Sequence, residues 1–403
     1  MFQVLKRFAP VCAFVAPMFL PAVTFAQSAG ASSVAYQIDP AHTGVTQFTP
    51  ALQLPLGRLW QVDLGGDVSY PLIADGKVFV TYLPWDDSTH KVLALDETTG
   101  DALWSATVFP GAVPRANMAY DNGRLFLVNF DGLLQALDAD DGDVAWSVRL
   151  PLQSAFTAPP TAVDGIVYVG GAGFGGTLYA LDESNGALLW SESVENGDDS
   201  SPAIYNGSVY VSYVCTQIYS FDDLTGDELW HYSGTCEGGG GHTPVVKGGK
   251  LYVHDDDANP SGFVFDAITG TLLDRFDASD TPVIGATTGY YLQSGTLRGI
   301  DLAGGSVLWS FAGDGHFESS PVVVDDYAFI GSTMGNLYAV NTRTGAVGWS
   351  TQVGAAIGAY AAGQVTGLGA GDGIVVVPAS NLLTAYRSVS DSIFVDGFES
   401  RHP

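Results

Sequence analysis

Hydrophobic and polar positions follow one short pattern that returns along most of the chain. The clearest unit runs from Pro159 to Trp190. An apolar run, Pro159–Val163, ends at the turn signal Asp164-Gly165. Ile166-Val-Tyr-Val169 and Thr177–Leu181 follow, rich in β-branched and aromatic residues and separated by a glycine-rich turn. Asp182 to Gly186 forms the next turn, and Ala187-Leu-Leu-Trp190 opens a fourth run. No helical period is present in these segments, so each unit predicts four antiparallel strands joined by tight turns.

The end of the unit is its most regular part. An Asp is followed four residues later by Gly and four further by Trp, at Asp96/Gly100/Trp104, Asp138/Gly142/Trp146, Asp182/Gly186/Trp190, Asp222/Gly226/Trp230 and Asp301/Gly305/Trp309. Asn341/Gly345/Trp349 varies the first position, and Asp266/Gly270 has Asp274 in the Trp place. The glycines lie 35 to 44 residues apart, a spacing typical of repeat architectures. A four-stranded sheet repeated radially is a β-propeller blade.

The ends of the pattern are complementary. Gly373–Val377 and Leu382–Tyr386 lack a following Asp-Gly-Trp, whereas Gly57-Arg-Leu-Trp-Gln-Val62 reads as a fourth strand without its first three. Joining them closes the ring and removes an exposed edge. The expected fold is all-β: an eight-bladed propeller over 57–387, its last blade completed by the N-terminal strand. Seven blades is the alternative, with the last copy as a cap.

The motif tryptophans Trp60, Trp104, Trp146, Trp190, Trp230, Trp309 and Trp349 account for all but Trp85, which makes them architectural. The Asp caps its own turn, the Gly accepts positive φ, and the indole covers the seam to the next blade.

This repeat, Leu-Tyr-Ala-Leu-Asp-x-x-x-Gly-x-x-x-Trp, resembles the tryptophan-docking repeat of the pyrroloquinoline quinone (PQQ)-like propeller family. The resemblance implies the eight-bladed ring. It leaves function open, because the ring serves both quinone-dependent alcohol dehydrogenases and non-catalytic scaffolds of outer-membrane barrel assembly. The dehydrogenase branch implies PQQ, Ca²⁺ and an adjacent cysteine pair; no two cysteines here are adjacent. The scaffold branch implies a lipid-attachment cysteine, which is not evident either.

Composition adds limits. With 43 Asp+Glu against 15 Lys+Arg, the net charge of −28 argues against nucleic acid and anionic membrane surfaces as partners. At the N-terminus, Lys6 and Arg7 precede an apolar run, Phe8–Leu20, and Thr24-Phe-Ala26 offers a cleavage site. Residues 1–26 therefore read as an export signal, too short and too Pro-interrupted for a membrane span. The expected location is periplasmic or extracellular. Residues 27–56 form a leading segment, with Asp39-Pro-Ala-His-Thr-Gly44 laid on the ring. Residues 388–403 form an acidic, aromatic tail.

In an exported chain, Cys215 and Cys236 predict a disulfide closing a loop worth about 3 kcal/mol. Both fall on the face that carries the strand 2–3 loops and the links from strand 4 to the next strand 1. The same face collects Tyr70, Arg115, Asn117, Asp199, His242, His316 and Glu318, the candidate ligand residues. Gly238–Gly241, next to His242, lets backbone approach a ligand or forms a tight pinned loop. Asp255, Asp256 and Asp257 suit either Ca²⁺ or a solvated acidic loop. No nucleophile elbow, phosphate loop or His-Glu-x-x-His is present, and no catalytic residue is assigned. The sequence thus predicts a monomeric binding or scaffold module for a protein or small-molecule ligand, more readily than an enzyme. A PQQ-dependent dehydrogenase of alcohols or sugars is the alternative.

Overall fold

The computed structural model describes residues 32–86, 89–107, 116–197, 200–234, 241–255, 260–358, 360–361 and 364–389. Its strands form eight antiparallel blades of the expected kind. The first blade is built from Leu72–Ala74, Lys77–Pro84, Lys91–Asp96 and Ala102–Thr107, with Gly66–Val68 added beside the second strand. Six further blades repeat this order as far as Val347–Gln352. The eighth takes Gly369–Gly371, Ile374–Ala379 and Leu382–Ser388 from the end of the chain and its outermost strand, Leu56–Asp63, from the beginning. The two ends of the ring are thereby held in one hydrogen-bonded sheet.

Burial follows position in the blade. Second and third strands are almost continuously buried, as in Ile166–Ala172 and Gly176–Asp182. Outermost strands alternate, as in Val144–Arg149, because one face meets the next blade and the other meets water.

Six seams share one fastening. The indole of Trp60 covers Gly100, and Trp104, Trp146, Trp190 and Trp230 cover Gly142, Gly186, Gly226 and Gly270 in turn. Trp309 covers Gly345. A Cβ on any of these glycines would lie 2.5 to 2.8 Å from the ring. Each indole Nε1 also donates to the carbonyl of the residue after the motif Asp or Asn, at 2.8 to 3.1 Å. The glycines have φ between +66° and +80°, so their turns require the missing side chain twice over. Trp349 instead meets Tyr386 edge-on, since the eighth blade has no Asp-Gly turn.

The leading segment lies inside the ring and follows the inner strands around it. Ser33 and Ile73 exchange both backbone hydrogen bonds, at 2.9 and 2.8 Å. Tyr120, Ile204, Val246, Ile284 and Val323 then donate their N–H groups to the carbonyls of Val34, Pro40, Ala41, Thr43 and Gly44. Blades 1, 2, 4, 5, 6 and 7 are thus met in chain order. The third is reached by His42, whose Nε2 lies 3.5 Å from the Thr161 hydroxyl. Val45–Thr46 finally pairs in parallel with Val322–Val324. Inner strands of a propeller present unpaired N–H groups to the channel; here the chain supplies the acceptors itself. His42 is fully buried, with Nδ1 2.6 Å from the Tyr36 carbonyl and Nε2 3.0 Å from that of Pro202. Burial pushes its pKa down against those two carbonyls and Asp39.

Candidate functional site

Up-and-down strands divide the ring into two faces. Strand 1–2 and 3–4 turns lie on one, and the leading segment leaves on that side, where the Asp325 carboxylate accepts the N–H groups of Phe48 and Leu52. Strand 2–3 loops and interblade links form the other, the loop face.

Residues just ahead of the inner strands link neighbouring blades around the channel. The Tyr70 hydroxyl donates to the Met118 carbonyl and accepts from the Met118 N–H. Asn117 Nδ2 donates to the Thr157 carbonyl at 2.7 Å. The Thr161 hydroxyl donates to the Pro202 carbonyl at 2.7 Å, and the Ser201 N–H donates to the Thr243 hydroxyl at 3.1 Å. Thr281 reaches the Thr243 carbonyl, and Ser320 the Thr281 carbonyl. These links run unbroken from the first blade to the seventh, all through buried side chains. Tyr70 and Asn117, selected from sequence as ligand-facing, take part in this seam network. Burial pushes the Tyr70 phenol up, so it stays a neutral donor.

His242 stands differently. It is half-buried, and its ring lies 4.6 Å from that of His254. His254 is buried, and its Nε2 donates to the Ala278 carbonyl at 2.9 Å, which fixes the tautomer if the ring is neutral. Asp280 completes the group. Burial pushes its carboxyl up, opposed by the charge of His242 and by hydrogen bonds from Thr281 and Ser320. Two imidazoles and a carboxylate thus converge at the junction of the fifth and sixth blades, where they can hold or move a proton. Sequence reading missed His254 as a partner of His242, and missed Asp280 entirely. The only available signal was position: each lies at the loop-face end of its blade.

Beside this group, Cys215 is disulfide-bonded, and both it and Thr216 have positive φ. The Thr216 hydroxyl donates to the buried Asp255 carboxylate at 2.6 Å. Further round, His316 is exposed and caps its own loop, with Nδ1 2.7 Å from the Asp314 carbonyl. Burial acts to raise the Asp314 pKa, but hydrogen bonds from Ser332, Asn336 and the His316 backbone bring it below the ordinary value. Glu318 is exposed. His90 is buried in the first blade, and neither ring nitrogen has a hydrogen-bond partner among the described residues. Arg115, Asp199, Cys236, Asp256, Asp257, the export signal and the tail from residue 390 lie outside the described residues. Among the described residues, no group of three or more His, Cys, Asp or Glu is arranged to hold a metal ion. None of their helices is long and apolar enough to cross a membrane.

A family model described as outer membrane protein assembly factor BamB matches residues 56–194, 148–275 and 293–390. Outer membrane protein assembly factor BamB of Shewanella oneidensis is 24% identical over 329 residues, covering 73% of this chain and 80% of that protein. The dehydrogenase subunit of a quinone alcohol dehydrogenase from Gluconobacter oxydans is 35% identical over 156 residues. That match covers 32% of this chain, which spans only 20% of the length of that subunit. In structure, BamB from Moraxella catarrhalis superposes with a TM-score of 0.63 at 18% identity, over 87% of this chain and all of that one. Quinohemoprotein alcohol dehydrogenase from Comamonas testosteroni gives 0.67 at 15% identity, over 89% and 82%. At such identities the superpositions speak for the fold alone.

Proposed function

The chain belongs to the family described as outer membrane protein assembly factor BamB, and from that premise we propose that it is an exported binding and scaffold module that engages a protein or another ligand through its loop face. One observation carries this reading. Tyr70, Asn117 Nδ2 and Thr161 bond to neighbouring blades and the inner-strand amides to the leading segment, which favours side chains that do not repeat for recognition. Those side chains, His242, Asp280, His316 and Glu318, stand on the loop face. Coverage supports the same reading, since the match to the Shewanella protein spans most of both chains. Export is expected from residues 1–26, and the relatives' outer-membrane names agree with it.

The test is a photo-crosslinking residue placed in the exported protein, at His316 on the loop face or at Ser184 on the turn face. Specific adducts from His316 and none from Ser184 are expected. Adducts confined to Ser184 would overturn the assignment of the face.

The short match to the quinone alcohol dehydrogenase motivates a second reading, a PQQ- and Ca²⁺-dependent dehydrogenase. The residues do not fit that cofactor. No adjacent cysteine pair exists in the chain, and of the buried wall groups Thr161 and Asn117 Nδ2 are paired while Asn117 Oδ1 and Ser319 Oγ have no partner among the described residues. Addition of PQQ with Ca²⁺, followed by absorbance and dye reduction, decides it: no binding ends the reading.

A further inference from the structure

The seam between the fifth and sixth blades lacks the fastening that six other seams share. Asp274 stands where the tryptophan belongs, and its side chain is exposed. Gly305 keeps the turn conformation of its counterparts, with φ +66°, yet a Cβ built on it meets nothing within 4 Å. It is also exposed, whereas Gly100, Gly142, Gly186 and Gly226 are buried under their indoles. The Leu302 carbonyl corresponds to the six that accept an indole N–H, and no described residue donates to it. The interior of the seam is closed by other means: Phe276 packs on Tyr291 at 4.8 Å, and both Phe276 and Leu302 adjoin the buried cluster there. What stays open is an outer recess on the turn face.

Leu272 and Leu273 precede Asp274, and Val307 and Leu308 follow Gly305; all four are exposed, as are their counterparts Leu103, Val144, Leu188, Leu189, Leu229 and Val347 on other blades. Ile268, at the tip of the fifth blade's turn, is 82% exposed, as is Leu224 at the same place in the fourth blade at 70%, where Thr98, Asp140, Ser184 and Arg343 are polar.

We propose that this recess is a binding site for a tryptophan side chain presented by a basic segment of a partner protein. The chain itself specifies the occupant, because it fills the same recess six times with an indole lying on a glycine and donating to a carbonyl. Phenylalanine has no such donor. Charge sets the rest of the partner. The protein carries −28, Asp274 and Asp301 border the recess, and the nearby Arg275 guanidinium is stacked on Phe263 of its own blade. Long-range attraction therefore favours a cationic segment. The site lies on the face opposite the loops and stands or falls apart from the reading of that face.

The probe is a lysine-flanked peptide carrying Leu-Trp-Ser, the sequence of Leu103–Ser105, Leu189–Ser191 and Leu308–Ser310, with 5-fluorotryptophan observed by ¹⁹F resonance. Saturable binding is expected, weakened at least about tenfold when the peptide tryptophan becomes alanine. Asp274→Trp combined with Val264→Ala should abolish binding and raise the melting temperature. The second change is needed because Val264 stands opposite Asp274 where other blades place Ala, Ser or Gly against the indole. Asp274→Leu covers Gly305 more simply and serves if the double variant does not fold. Absence of saturable binding, or binding unchanged by the alanine peptide or by both variants, overturns the proposal. So does self-association that vanishes in Trp85→Ala, since it would give the recess to a second copy.

Discussion

The indole of Trp60 lies on Gly100, so close that a Cβ there would meet the ring at 2.7 Å. Trp60 comes from the strand that completes the last blade, and Gly100 from the first. This contact therefore closes the ring between residues at the two ends of the sheet order. Trp60→Ala is expected to cost about 3–5 kcal/mol in urea unfolding. Gly305→Ala should cost about 1 kcal/mol, for positive φ alone, and Gly100→Ala distinctly more. Equal costs for the two glycine variants would refute the account of the fastening.

The leading segment is anchored where it leaves the channel. Asp325 accepts the Phe48 N–H at 3.1 Å and the Leu52 N–H at 2.7 Å. Asp325→Asn keeps a residue that tolerates the observed φ of +51° but removes the charge. A loss of about 1–3 kcal/mol is expected, with faster hydrogen exchange at Phe48 and Leu52. Unchanged exchange at both amides would show the anchor to be unimportant.

Glu183 gives the ring a pH dependence. Its burial, with the Asp121 carboxylate beside it, raises its pKa from 4.5 to about 7, against Asn122 and Arg124. The folded state thus binds the proton more tightly than the unfolded chain. This contribution is complete below pH 4.5 and is lost as pH rises toward 7. His42 acts in the opposite sense: burial holds its pKa below 6.5, so its contribution falls as the medium is acidified. Comparing Glu183→Gln with wild type isolates the first group. The variant's melting temperature should decline less between pH 5 and 7; parallel curves would remove Glu183 from the account.

Cys215 lies at a left-handed turn and is disulfide-bonded. Cys215→Ser should lower stability by about 2–4 kcal/mol in denaturant titration under oxidising conditions. Under reducing conditions, wild type and variant should converge.

Much of this architecture is legible in the chain because it is local and repeated. Asp182, Gly186 and Trp190 need only their own turn and the neighbouring blade, and each unit states the requirement again. The candidate site is far less legible. Position before an inner strand marks Tyr70 and Asn117 as candidates, and the same position gives them hydrogen bonds in the seam network. His242 gains its meaning from His254 and Asp280, which are 12 and 38 residues away and carry no motif.

The sequence by itself determined the kind of blade and the way the ring closes, with eight blades expected and seven as the alternative, since strand period, turn residues and docking tryptophans are short-range demands. Tertiary structure alone decided three things: the path of the leading segment, the pairing of the channel wall and the open recess at Gly305. Each depends on which blades become neighbours across the ring or the seam. A hydrogen-bond donor or an uncovered glycine has no partner to declare until closure brings it one, or fails to.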